Sequence, residues 1–204
     1  MAKKNTAQLS LFAETVYEYF ILLSPSDPIK EEVDRMKELL HGMIGLEPFN
    51  RNSVAHISLF KTEAVENGPV IRQVKKIASA VAPFNITLTG HEVLKHGGGS
   101  RTLCLKIEDP EPINTLVGLL NPAPQAKRSY RQTSILDKRT RTKKIIHPHI
   151  TIARSIPTAD FDRIGDLSAF DLSGEWLCDR ITILRRIAGS TGHFSPVSDV
   201  VLCG

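Results

Sequence analysis

Apolar positions along the chain switch between the two-residue period of a strand and the three- and four-residue spacing of a helix. Residues 16–23 are an apolar run rich in aromatic and branched side chains. Ser24-Pro25-Ser26-Asp27-Pro28 follows with turn, N-cap and first-turn proline signals, so a strand running into a helix is expected. From 28 to 44 the apolar residues Ile29, Val33, Met36, Leu40 and Met43 recur as on one face of an amphipathic helix. Residues 45–52 read as a turn and 54–60 as a second strand. Asn67-Gly68-Pro69 opens a second helix, in which Val70, Ile71, Val74, Ile77, Ala78 and Val81 make one buried stripe that Pro83 ends. Residues 84–94 alternate as a third strand before the turn Gly97-Gly98-Gly99.

The second half follows the same grammar more loosely. It offers a strand at 101–107, a helix at 111–120, a strand at 145–153, a helix near 159–167, and closing strands at 180–186 and 197–203. The order strand, helix, strand, helix, strand thus occurs twice, and each copy has a histidine-bearing strand after its first helix. The duplication rests on element order alone, without a residue-level repeat. It predicts a single domain, 1–204, of two pseudo-symmetric lobes, with repeat units at about 14–95 and 101–203.

Composition allows a folded core: 41% of the 204 residues are apolar and 24% charged. Cys104, Cys178 and Cys203 are odd in number and contain no CxxC pair, which argues against a disulfide framework and a zinc site. The basic start, Met1 to Asn5, is followed by no signal-like apolar stretch, and no run approaches a membrane span, so a cytoplasmic protein without a membrane partner is expected. The net charge of +4 is uneven. Eight basic residues between Lys127 and Lys144 face one acid, Asp137, and the rest of the chain is net acidic. Such local basicity suits one phosphate-facing region.

Two short segments share the form His, apolar, hydroxyl, apolar: His56-Ile57-Ser58-Leu59 and His149-Ile150-Thr151-Ile152. In a strand, side chains at i and i+2 share a face. His56 would therefore stand beside Ser58 and His149 beside Thr151, with the isoleucines and the leucine turned into the hydrophobic layer. Two imidazoles and two hydroxyls are what displacement at phosphorus needs. One neutral imidazole takes a proton from the attacking oxygen while an imidazolium protonates the departing one. The hydroxyls can donate to the non-bridging oxygens, where charge is held through the transition state. This scheme calls for no metal and no cofactor.

With His147-Pro148-His149-Ile150-Thr151-Ile152-Ala153-Arg154 as its second motif, the chain resembles the 2H phosphoesterases, a family that includes 2'-5' RNA ligase-like proteins and cyclic phosphodiesterases. The resemblance implies an α+β, bilobal fold: two antiparallel sheets around a central cleft, related by a pseudo-twofold axis, with helices on the outside. It further implies that His56 and His149 are the catalytic pair and that Ser58 and Thr151 hold the phosphate. The expected partner is RNA or a small nucleotide carrying a 2',3'-cyclic or 2'-5'-linked phosphodiester, turned over by a monomer. Two rival readings are 2'-5' RNA ligation and a non-catalytic RNA-binding module that uses the segment 127–144.

Other residues are secondary candidates. Arg128, Tyr130 and Arg131 could form a flap that draws in a polyanion, with Tyr130 stacking on a base. Phe60 shares strand parity with His56 and could floor a base pocket. The His147-x-His149 spacing could bind a metal, but no acidic or cysteine partner accompanies it at a recognisable spacing. The His96-Gly97-Gly98-Gly99 and Gly189 to His193 segments read as turns.

Overall fold

The computed structural model describes residues 14–120 and 146–204. The basic run, with Arg128, Tyr130 and Arg131, lies outside the described residues. The elements in chain order are β1 (Tyr17–Leu23), α1 (Asp27–Ile44), α2 (Pro48–Arg51), β2 (Ile57–Ala64), α3 (Asn67–Ala78), β3 (Phe84–His96), β4 (Ser100–Ile107) and α4 (Glu111–Leu120). After these come β5 (His149–Pro157), α5 (Thr158–Phe161), a 3-10 turn at Ser168–Phe170, β6 (Ser173–Cys178), β7 (Arg180–Ile187) and β8 (Ser195–Val201).

All strand pairings are antiparallel, in the order β6-β3-β4-β5-β2-β1-β7-β8. The order divides into two four-stranded halves. β5 and β2 meet at the centre through one residue pair, Ile57 with Ile150. The two halves correspond under a twofold that exchanges β2 with β5, β1 with β4, β7 with β3 and β8 with β6. They are interleaved along the chain, so residues 14–95 and 101–203 do not each build one half: β3 leaves the first stretch to join β4, and β7 and β8 return to flank β1.

The helices cover the face of the sheet that carries the core. Helix α1 begins at N-cap Ser26 with a proline in its first turn and ends at Gly45, whose left-handed φ of 71° lets its N–H bond back to the His41 carbonyl. Its buried stripe is Ile29, Val33, Met36 and Leu40. Each such side chain contributes about 1.5–3 kcal/mol on leaving water. The contacts cross the midline: α1 packs against β5 and α4 against β2, so the layer of helices ties the halves together behind their single strand pair.

Three elements depart from the spacing of the sequence. Strand β6 has no clear sequence signal, because only Trp176 and Cys178 of its six residues are buried and its alternation is short. Helix 159–167 shrinks to the four residues of α5, and the chain then takes a left-handed turn at Gly165 (φ 72°). Residues 48–51, expected as turn, form one helical turn that positions Asn50. That side chain is 5% exposed, and its amide donates to the Arg154 carbonyl (2.9 Å) and accepts from the Arg154 N–H (3.0 Å). Asn50 therefore acts toward β5 as one residue of a neighbouring strand would.

Among the described residues no helix is long and apolar enough to cross a membrane. Cys104 and Cys178 are buried, which pushes both thiols up to about 12, whereas Cys203 is exposed. Two measurements check this packing. Asn50→Ala should lower unfolding stability by about 1–3 kcal/mol, seen as a lower urea midpoint, since two main-chain groups of β5 lose their partner. Iodoacetamide at mildly alkaline pH should modify Cys203 alone in the native protein, as read by peptide mass spectrometry.

Candidate active site

The central strand pair fixes the site. Ile57 and Ile150 are both fully buried on the core side, so the residues flanking each are turned to the opposite face. Those residues are His56, immediately before β2, and Ser58 within it, with His149 and Thr151 on β5. The four side chains singled out in the sequence are thereby gathered on one face around the pseudo-twofold. The two imidazoles are close enough for the charge of His149 to act on His56.

The histidines are held alike. His56 Nδ1 lies 2.7 Å from the Val54 carbonyl and His149 Nδ1 lies 2.8 Å from the His147 carbonyl, each two residues upstream. A carbonyl can only accept, so Nδ1 carries the hydrogen in both rings. The lone pair of each neutral imidazole is consequently on Nε2, and neither ring can flip without losing its main-chain bond.

Burial pushes both imidazoles below the ordinary histidine value of 6.5. For His56 the Val54 hydrogen bond opposes that shift, while Lys37, Arg154 and His149 add to it. For His149 the bond to the His147 carbonyl and the charge of Glu92 oppose it, while His147 and His96 add to it. Lys37, only 1% exposed on α1, donates to the Ser53 carbonyl just before the His56 segment. By itself the site thus favours two neutral bases, and an arriving phosphate anion would favour a proton on one of them.

The walls on either side differ. Beside His56 the Phe20 ring stands edge-on at 5.2 Å between centroids, and Phe194 follows at 5.4 Å from Phe20. Lys61 Nζ lies 5.1 Å and 5.0 Å from the centroids of these rings, and Arg186 lies 4.5 Å from Phe194. Glu18 binds both cations, Lys61 at 3.1 Å and Arg186 at 2.6 Å; although burial raises its carboxyl, the two partners hold it below the usual value. Beside His149 the wall is polar: His147 Nε2 bonds Glu92 at 2.8 Å, and His96 Nε2 lies 2.9 Å from the Thr102 hydroxyl.

Phe60 is not on this face. A bulge sets Ile21 opposite Phe60 but Leu22 opposite Ser58, leaving Leu59 as an extra residue. The parity that joined Phe60 to His56 is broken, and Phe60 packs against the hydrophobic core. Lys61, paired with Phe20, takes the cleft-side place instead. Sequence reasoning misses Phe20 and Phe194. The first sits among the apolar residues of β1 and the second in a Gly- and Ser-rich loop, and only folding brings them to His56. Glu92, partner of His147, lies 55 residues upstream and gives no local signal either. Among the described residues no group of three His, Cys, Asp or Glu side chains is placed to hold a metal ion.

The family model of the 2'-5' RNA ligase superfamily matches residues 25–190. The chain belongs to that superfamily, in agreement with the resemblance carried by the two histidine motifs. No curated protein matches the sequence. Among solved structures, TT0787 of Thermus thermophilus superposes with a TM-score of 0.57 at 16% identity, covering 92% of this chain and 98% of its own. LigT of E. coli in its apo form gives 0.56 at 15%, covering 93% and 99%. LigT complexed with 3'-AMP gives 0.52 at 14%, with the same coverage. At these identities the likeness is one of fold, and it bears out the α+β bilobal architecture.

The pH dependence of stability follows from the two depressed imidazoles. Below 6.5 the unfolded chain binds protons that the folded protein refuses, so their contribution is fully present above that pH and is lost as the pH falls through the depressed folded values. Urea midpoints of the unaltered protein should therefore drop from pH 7.5 to 5 more steeply than those of the His56→Asn, His149→Asn double variant.

Proposed function

We propose that this protein is a 2H phosphoesterase that cleaves a phosphodiester at a ribose 2'-oxygen, either a 2',3'-cyclic phosphate or a 2'-5' linkage. The observation that carries the reading is the matched seating of His56 and His149. Each has Nδ1 tied to the main chain and Nε2 left for chemistry. In hydrolysis, one Nε2 takes the proton of the attacking water while the other, protonated, gives its proton to the departing ester oxygen. One P–O bond forms, one breaks, and the two imidazoles exchange protonation states. Ser58 and Thr151 donate to the non-bridging oxygens. Run backwards, the same groups join a 2'-hydroxyl to phosphate, so ligation and hydrolysis differ only in direction.

A nucleotide substrate is supported by the aromatic wall. Phe20 and Phe194 offer ring surface for a base beside His56, and Lys61 and Arg186 supply positive charge for a phosphate. LigT, solved with 3'-AMP, shares the fold. The buried free thiols Cys104 and Cys178 suit the cytoplasm, where we assign the reaction.

With a chelator present, the protein should turn over 2',3'-cyclic nucleotides or 2'-5' dinucleotides but not 3'-5' dinucleotides. His56→Ala and His149→Ala should each lower kcat by about 10²–10⁴-fold, with substrate binding largely kept. Undiminished turnover in both variants would refute the assignment.

A further inference from the structure

The twofold relation between the halves holds for the main chain around the histidines and fails at one side chain. The residue two positions upstream, which lends its carbonyl to Nδ1, is Val54 in one half and His147 in the other. His147 is fixed: its Nε2 is 2.8 Å from Glu92 Oε2 on β3, and its ring centroid is 6.0 Å from that of His149, with the planes inclined by 36°. Its side chain is nevertheless 60% exposed.

Stability does not account for this arrangement, because an ion pair so open to solvent adds little. Orientation of His149 does not account for it either, since the His147 carbonyl already secures that ring, as the Val54 carbonyl secures His56. What the pair adds is an oriented imidazole face, and an Nδ1 that Glu92 does not engage, on the His149 side of the site. The Phe20 and Phe194 rings lie on the other side, next to His56.

A phosphodiester has two ester oxygens. In a 2',3'-cyclic phosphate both belong to one ribose, and the nucleoside occupies one side of phosphorus. In a 2'-5' linkage a second nucleoside extends past phosphorus in the other direction. Resting on the function proposed above, we infer that His147, held by Glu92, contacts this second nucleoside and so favours 2'-5'-linked substrates over cyclic mononucleotides. Stacking on the imidazole and a hydrogen bond at Nδ1 are the contacts it can make.

The test compares kcat/KM for 2'-5'-linked diadenosine monophosphate and adenosine 2',3'-cyclic phosphate in the full chain, with chelator. His147→Ala should lower the ratio of the dinucleotide value to the cyclic phosphate value by about tenfold, roughly the worth of one stacking contact. Glu92→Ala, which frees the ring but keeps it, should shift the ratio in the same direction by less. Equal losses on both substrates would mean that His147 acts only through its hold on His149 and would overturn the inference, as would an unchanged ratio. Turnover of the cyclic phosphate alone by the unaltered protein would overturn it too, whereas turnover of neither substrate would defeat the proposed function itself and the subsite with it.

Discussion

The pairing of Ile57 with Ile150 is the constraint on which the rest of the structure depends. The two four-stranded halves of the sheet meet there, and both residues are fully buried, so the hydrophobic layer holds the register. A slip of one residue would exchange the faces and drive an imidazole into the core. Continued by one residue each way, the antiparallel register sets His56 across from Thr151 and Ser58 across from His149.

A joint of one pair is weak by itself, and the layer behind it explains why it suffices. Helices α1 and α4 each cross to the strand of the opposite half, and Asn50 clamps the main chain of β5 from α2. The interleaved chain path has the same effect, because β7 and β8 cannot leave β1 without pulling on β6, to which β7 is joined by the single residue Asp179. The site face consequently carries little of the burden of holding the fold together and can keep polar groups half open to solvent.

The main chain is symmetric about the site while the walls are not. Equivalent histidines suit a reaction whose two directions use the same groups in exchanged roles. Unequal walls suit a substrate whose two ends differ: rings and cations beside His56, imidazoles and a carboxylate beside His149. The surrounding charges are unequal as well, since Lys37 and Arg154 act on His56, whereas a carboxylate is among the groups acting on His149.

The sequence by itself determined what depends on near neighbours along the chain. The period of the apolar residues located β1, α1, α3, β3 and β4 closely, and the two-residue spacing within His56-Ile57-Ser58 and His149-Ile150-Thr151 put each histidine and its hydroxyl on one face, because strand geometry alone dictates that. Tertiary structure decided everything that depends on pairing between distant strands. The bulge opposite Ile21 turned Phe60 inward, where simple alternation would have turned it to the cleft, and put Lys61 in its place. Strand order carried β3 into one half of the sheet and β7 with β8 into the other, so that each stretch of the chain contributes strands to both halves. Phe20, Phe194 and Glu92 came to the histidines through contacts spanning tens of residues or more, and no local periodicity encodes such contacts, since only the packed core fixes which strands lie side by side.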